Sequence, residues 1–184
     1  MMETTNSFNI RMLTLDDLEG WLKQCEILDS ESGENNIYYG PYNSDEPYSI
    51  DRLRKKHKKL WAQKISIPGW RRAWGIIDSN RIVGSAQISA GELPTNIHRV
   101  DLGLGIYKEY RNMGLGKKLI SRIIEWCKDE SSISWIDLGT FSGNENAKHV
   151  FDKLGFETLC YKDDAWCIDG LSIGETFMTL NVKY

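Results

Sequence analysis

Metal-ligand spacing is missing from this sequence. Its four cysteines, Cys25, Cys127, Cys160 and Cys167, form no CxxC pair, and none has a histidine nearby at ligand spacing, so no metal site is expected. A basic excess is missing as well. Lys and Arg number 23 against 26 Asp and Glu, a net charge of -3, whereas a general nucleic-acid binder carries surplus positive charge. No apolar run approaches the length of a membrane span, and the opening MMETTNSFNIRML has no basic start, apolar stretch or small-residue cleavage site. These absences point to a cytoplasmic protein with neither a nucleic-acid nor a membrane partner. In a reducing compartment Cys127 and Cys160 read as small buried hydrophobes. One stretch lacks a charge type altogether: no Lys or Arg falls between Gln24 and Asp51, where Glu26, Asp29, Glu31, Glu34, Asp45 and Glu46 gather with Tyr38, Tyr39, Tyr42 and Tyr48.

What is present is the make-up of a packed domain. The 184 residues are 41% apolar and 27% charged, enough to bury one core without covalent staples, and residues 1–184 are expected to form a single domain. Residues 8–13 alternate as a strand. Thr14 and Asp17 make a variant capping box before Leu18, Trp21, Leu22 and Cys25, which repeat at helical spacing. A second helix is predicted over residues 50–65, with Ile50, Leu53, His57, Leu60, Trp61 and Lys64 on one stripe and its basic run on a solvated face. Residues 72–77 and 81–90 flank the turn formers Asp78, Ser79 and Asn80, a hairpin pattern. A strand over 100–106 is interrupted by Gly103 and Gly105, glycines of the kind that mark a bulge or a close approach to the backbone. Further strands are predicted over 135–140, 158–162 and 175–182, with 163–174 as a connection.

The chemistry concentrates where the strand over 100–106 leads into Arg111-Asn112-Met113-Gly114-Leu115-Gly116 and then into a helical pattern at Leu115, Leu119, Ile120, Ile123, Trp126 and Cys127. A helix start leaves N–H groups without partners, the aligned peptide dipoles add positive charge, and glycine lets an anion touch the main chain. Phosphate is the ligand this predicts. Neither the Walker spacing nor the dinucleotide fingerprint matches, and a different phosphate ligand on Gly114 and Gly116 stands as an alternative. A second segment, Asn144 to Phe156, places Ala147, Val150, Phe151 and Leu154 on one helical stripe, with Asn144 suited to the N-cap and Gly155 to the position after the helix.

The first segment fits an Arg/Gln-x-x-Gly-x-Gly/Ala pattern, and the second resembles Asn-x-x-Ala-x-x-x-Tyr-x-Lys-x-Gly-Phe, both of the GNAT family of N-acetyltransferases. The resemblance is good over residues 72–180 and extends before that only in the order of elements. It implies an α/β (α+β) fold, a mixed, twisted central sheet of about seven strands flanked by about four helices, splayed between strands 4 and 5. It implies acetyl-CoA as co-substrate, and transfer of its acetyl group to a primary amine by direct attack through a tetrahedral intermediate. Carried over by position, it implies that Arg111, Asn112, Met113, Gly114, Leu115, Gly116 and Lys117 hold the pyrophosphate. Main-chain groups of Leu104, Gly105 and Ile106 would hold the pantetheine arm, and Asn144 and Phe151 would border the cofactor.

For catalysis the resemblance makes Asp101 the first choice of base, directly or through water, with Glu145 and His98 as alternatives and the Ile106 amide on the oxyanion. Where the family has a tyrosine to protonate the departing sulfur, this chain has Phe151, which donates no proton. Water, Ser142 and Tyr161 are the alternatives, and a thiol of pKa about 8.5 leaves tolerably near neutral pH. The resemblance places the acidic, tyrosine-rich stretch along the acceptor pocket, which implies a cationic acceptor such as a polyamine, an aminoglycoside-like compound or a protein N-terminus. The phenylalanine also leaves open an acyl-CoA-binding sensor or interaction module without turnover. The family includes both monomers and homodimers.

Overall fold

Side chains along a strand alternate between its two faces, and the second strand shows what each face receives: Ala73 and Ile77 pack with one apolar cluster, Trp74 and Ile76 with another. The computed structural model describes residues 8–46 and 49–183, so Tyr48 lies outside the described residues. In chain order it contains β1 (Asn9–Met12), α1 (Leu18–Ser30), α2 (Ile50–Ala62), β2 (Arg71–Asp78), β3 (Arg81–Ala90), β4 (Arg99–Ile106), α3 (Leu115–Asp129), β5 (Trp135–Phe141), α4 (Glu145–Lys153), β6 (Glu157–Ile168) and β7 (Leu171–Asn181). The strands form one 7-stranded sheet in the order β1-β2-β3-β4-β5-β7-β6. Neighbours are antiparallel except β4 and β5, which run parallel.

Helices cover both faces. The α3 stripe of Leu115, Leu119, Ile120, Ile123 and Cys127 is buried in the cluster that holds Trp74, Ile76, Val100 and Ile136, and α4 joins it through Phe151. On the opposite face α1 and α2 bring Leu18, Trp21, Leu22 and Trp61 against Ala73 and Ile82. Each such side chain contributes about 1.5–3 kcal/mol relative to exposure.

Three expectations need correction. The second helix stops at Ala62, not 65: the Arg72 guanidinium, projecting from β2, donates to Trp61 O at 2.9 Å and Gln63 O at 2.8 Å, satisfying terminal carbonyls while Gln63 turns extended. The supposed connection over 163–174 is instead the far half of a long hairpin. Asp169 (φ 49) and Gly170 (φ 77) form its tip, and Asp164 (φ 49) sits where the register shifts between Lys162 and Trp166. Asp-Gly favours this two-residue turn because both positions need positive φ. Finally, Cys127 is buried but Cys160 is exposed, because β6 is the edge of the sheet and its residues 157–164 face solvent.

His57 on α2 is buried between α1 and β2, 2% exposed and 4.5 Å from the Trp21 ring. Its Nδ1 is 3.0 Å from Leu53 O, and Arg71 Nη1 approaches Nε2 at 3.2 Å, an arrangement that needs a neutral ring. Burial pushes its pKa down to about 4 against a partial upward pull from the Leu53 carbonyl, with Arg71 and Lys56 adding to the depression. The unfolded chain binds this proton near 6.5, so the contribution is complete above that value and is lost as pH falls toward 4. Denaturant unfolding is expected to give a stability about 2 kcal/mol lower at pH 5 than at pH 8 from this residue. His57→Gln, which keeps an acceptor for Arg71, should show a correspondingly shallower decline.

Candidate active site

The pairing of β4 with β5 ends after Arg99↔Trp135, Val100↔Ile136 and Asp101↔Asp137. Beyond that rung β4 stays with β3 through Ile106↔Gly84, while β5 stays with β7 through Phe141↔Glu175. The two strands part. The last joined rung is fastened by Arg99, whose guanidinium forks onto Asp137 at 2.7 and 2.6 Å, and by the Thr179 hydroxyl, which donates to the same carboxylate at 2.6 Å. Tyr107 N–H donates to Val83 O at 3.0 Å on the β3 side. By the alternation of an antiparallel ladder, the N–H groups of Leu104 and Ile106 therefore point toward the parted side.

At the end of that opening α3 begins. Gly114 (φ 71) is its N-cap and Asn112 (φ 62) shapes the loop before it. No side chain among the described residues caps the first turn, and no acidic residue lies in it. The amides of Leu115, Gly116 and Lys117 are thus left for an anion, with the exposed Lys117 beside them. Met113 is exposed on the same loop.

The Arg111 side chain turns away from this loop. Its Nε donates to Ile106 O at 3.0 Å, and its Nη2 donates to Glu31 at 2.5 Å and to the Tyr39 hydroxyl. Burial pushes the Tyr39 phenol up to about 12, against the pull of Arg111. Arg111 therefore ties the acidic connection to the end of β4, and only its main chain is left in the loop.

On the face covered by α1 and α2, the register lines up Arg71, Ser89, Asp101, Asp137 and Thr179 across five strands. The Asp101 carboxyl is raised above its ordinary pKa by partial burial and by Asp137, with Arg99 and Arg71 pulling the other way. Arg71 Nε is buried with no partner among the described residues. In a parallel row, Ser85 donates to Gln24 Oε1 at 2.5 Å, and Gln24 Nε2 donates to Gly105 O at 3.1 Å. A Cβ on Gly105 would sit 2.3 Å from Leu28 Cδ1, so this glycine lets α1 close onto the sheet, whereas Gly103 faces open space. Between them a cavity of about 160 Å³ is bordered by Trp21, Cys25, Asp29, Tyr39, Gln87 and Gly103. Burial pushes the Cys25 thiol up to about 12, which leaves it inert there.

The acidic connection spans the opening. Asn36 lies over Gly143, and at its other end Ser44 N–H donates to Asp169 at 2.9 Å while Asp169 N–H donates to Asn43 at 2.8 Å. On the α4 side, Thr140, Ser142, Asn144, Glu145, Lys148 and Tyr161 border a second cavity of about 290 Å³. Thr140 Oγ1 is buried there without a partner among the described residues. Asn144 occupies the N-cap position of α4; its carbonyl accepts from Ala147 N–H at 3.1 Å and Lys148 N–H at 3.2 Å, but its side chain does not cap the first turn. Ser142 Oγ accepts from Gly174 N–H at 3.1 Å.

The structure thus gathers Leu104, Gly105, Ile106 and residues 111–117 at one end of the opening, with Asp101 at its closed end and Asn144 beyond β5. Phe151 stands apart, packed in the core 5.5 Å from the Phe156 ring. His98 is an exposed loop residue whose carbonyl accepts from Ser134 and Trp135. Sequence reasoning missed Gln24, Arg71 and Glu175 as polar members of this face, because only the strand register, and for Gln24 the docking of α1 on the sheet, brings them to it.

A family model described as the acetyltransferase (GNAT) family matches residues 34–156. The L-amino acid N-acetyltransferase of Escherichia coli (strain K12) is 28% identical over 99 residues, which span 53% of this chain and 60% of that relative. An acetyltransferase of the GNAT family from Streptococcus pneumoniae superposes with a TM-score of 0.79 at 21% identity, covering 95% of this chain and 99% of its own. A putative acetyltransferase from Salmonella typhimurium, solved with its cofactor acetyl-CoA, gives 0.76 at 15% identity, covering 97% and 95%.

Proposed function

Because the chain belongs to the acetyltransferase (GNAT) family, we propose that it transfers an acetyl group from acetyl-CoA to the primary amine of a small cationic acceptor. The observation that carries this reading is the parting of β4 from β5 with the uncapped start of α3 at its end. The fit to coenzyme A is supported by the first-turn amides, by the N–H groups of Leu104 and Ile106, and by Thr140 Oγ1, which has no partner among the described residues. Bound acetyl-CoA supplies a thioester whose acetyl carbon takes the amine nitrogen as its thiol departs.

The residues divide the remaining work. Amides of residues 114–117 hold the diphosphate, and main-chain groups of residues 104–106 orient the arm. The Ile106 N–H meets the oxygen that gains charge. Asp101 accepts the proton lost by the amine through intervening waters, since five residues of β4, a rise of about 16 Å, separate it from Ile106, and its raised pKa suits a base better than that of an ordinary surface carboxylate. Phe151 donates nothing, so solvent in the open cavity protonates the departing thiolate.

The test is release of free thiol from acetyl-CoA across an amine panel, alongside thermal stabilisation by acetyl-CoA, ATP and NAD. Acetyl-CoA alone should stabilise, by about 2.7 kcal/mol at a hundredfold excess over its Kd, and thiol should appear only with an amine. The panel includes L-amino acids, the acceptors in the name of the Escherichia coli relative, because Arg71 on the Asp101 row would receive their carboxylate. Stabilisation without thiol release from any amine would establish a binding module instead, the reading that the buried Phe151 favours.

A further inference from the structure

We propose that Glu175 seats a second ammonium group of the acceptor, so that the preferred substrate is a diamine; this rests on the acetyl-transfer reading above. Glu175 lies on β7, 7% exposed. Trp166 Nε1 donates to its Oε2 at 2.7 Å, which fixes the carboxylate. Its Oε1 lies over Gly139 on β5, where an added Cβ would be only 2.0 Å away, and Gly139 is itself exposed along the stretch that has left β4. One oxygen is therefore anchored and the other is presented on the acceptor face.

What singles this carboxylate out among the described residues is that it is buried and yet lacks a counter-charge. Asp137 is taken up by Arg99 and Thr179, and Glu31 by Arg111. No cation among the described residues forms an ion pair with Glu175, although Lys162 stands opposite it in register on β6. A carboxylate buried to this degree without a cation is costly, and a ligand ammonium relieves that cost. The surroundings suit a short alkyl chain. The Phe141 and Trp166 rings are 6.5 Å apart, and Tyr38 is 6.1 Å from Phe141, a group of π-faces that favours cations and methylenes alike.

Spacing sets the length. Asp101 pairs with Asp137, and Gly139 lies two residues further along β5, so a rise of about 7 Å along the strand and one inter-strand step of about 5 Å separate them, about 8 Å in all. The roughly 6 Å between the nitrogens of a four-carbon diamine, with a hydrogen bond of about 3 Å at each end, covers that span, with the reacting amine on the Asp101 side and the other on Glu175.

Steady-state kinetics of the full chain with acetyl-CoA, using 1,4-diaminobutane and n-butylamine as probes, tests this directly. The wild type should favour the diamine in kcat/KM by about 10- to 100-fold. Glu175→Gln, which still offers an oxygen to the Trp166 indole, should abolish that preference through KM for the diamine. Its kcat/KM for n-butylamine and its KM for acetyl-CoA should stay within about twofold, since neither engages the lost charge. Gly139→Ala, which displaces the carboxylate, gives the same readout should Glu175→Gln fail to fold. Turnover of both amines without preference in the wild type, or a preference that survives both substitutions, overturns this inference and leaves the acetyl-transfer reading standing. Equal loss of both amines in the variants marks a structural role and overturns it as well. Stabilisation by acetyl-CoA with turnover of neither probe overturns this inference, and the acetyl-transfer reading falls with it only if no amine of the wider panel releases thiol.

Discussion

Gly116→Leu is expected to weaken acetyl-CoA binding by about 100-fold, the equivalent of two hydrogen bonds to a charged group, while leaving the melting temperature near that of the wild type. The first half follows from the main chain, because a side chain at the second residue of α3 stands where the diphosphate must approach the amides. The second half follows from the free space. A Cβ at Gly116 would meet only Ile106 Cδ1, at 3.5 Å, an ordinary contact. The residue lies inside the helix, where Leu is a better helix former than Gly. Gly114 is the less informative site. Its φ of 71 would place any side chain in a strained conformation, costing about 1–2 kcal/mol whatever the ligand does. Calorimetric titration with acetyl-CoA gives the affinity; a folded Gly116→Leu protein that binds as tightly as the wild type contradicts the assignment of the diphosphate to this turn.

Asp101→Asn should lower kcat by about 10²- to 10⁴-fold, the usual range for a lost general base, with acetyl-CoA affinity unchanged. The pH profile distinguishes this from a packing defect. The working form is the carboxylate, and its folded pKa is raised by partial burial and by Asp137. The wild-type kcat should therefore fall as pH decreases through a value above the ordinary 3.9 or so. In Asp101→Asn that acid limb should vanish. Stability follows the opposite sign: a raised carboxyl pKa means the native state holds its proton more tightly, so the contribution of Asp101 is greatest at low pH and is lost as pH rises. The amide variant should accordingly be no less stable than the wild type at pH 8. A variant that keeps its acid limb would move the base elsewhere on this face.

The order of elements and the motif junction were legible because they depend on local chemistry. Thr14 and Asp17 do meet, with Thr14 N–H donating to the Asp17 carboxylate at 2.8 Å. The β2/β3 turn does form at Ser79 (φ 47) and Asn80 (φ 66). The hairpin tip at Asp169 and Gly170 was equally local, and the Asp-Gly pair was the signal that went unused. Other features had no local signal. Gln24 looks like the polar end of an amphipathic helix, yet it is fully buried, because Ser85 and Gly105 arrive from strands far along the chain to satisfy its amide. The same holds for Glu175, which reads as one more polar residue in a strand until β5 places a glycine beneath it. Arg111 adds a further case: its motif position concerns the main chain of the loop, whereas its side chain answers to Glu31 and Tyr39, whose proximity is set by the path of the acidic connection.

The short parallel zipper between β4 and β5 also limits how this protein can be improved. Lengthening that zipper past the Asp101 rung, by design or by selection for heat tolerance, would add backbone hydrogen bonds and close the crevice in which the proposed acetyl transfer takes place. Thermostabilised variants should therefore collect their changes in helix faces, caps and the outer hairpin, and any that stitch this seam further should be hardier and slower.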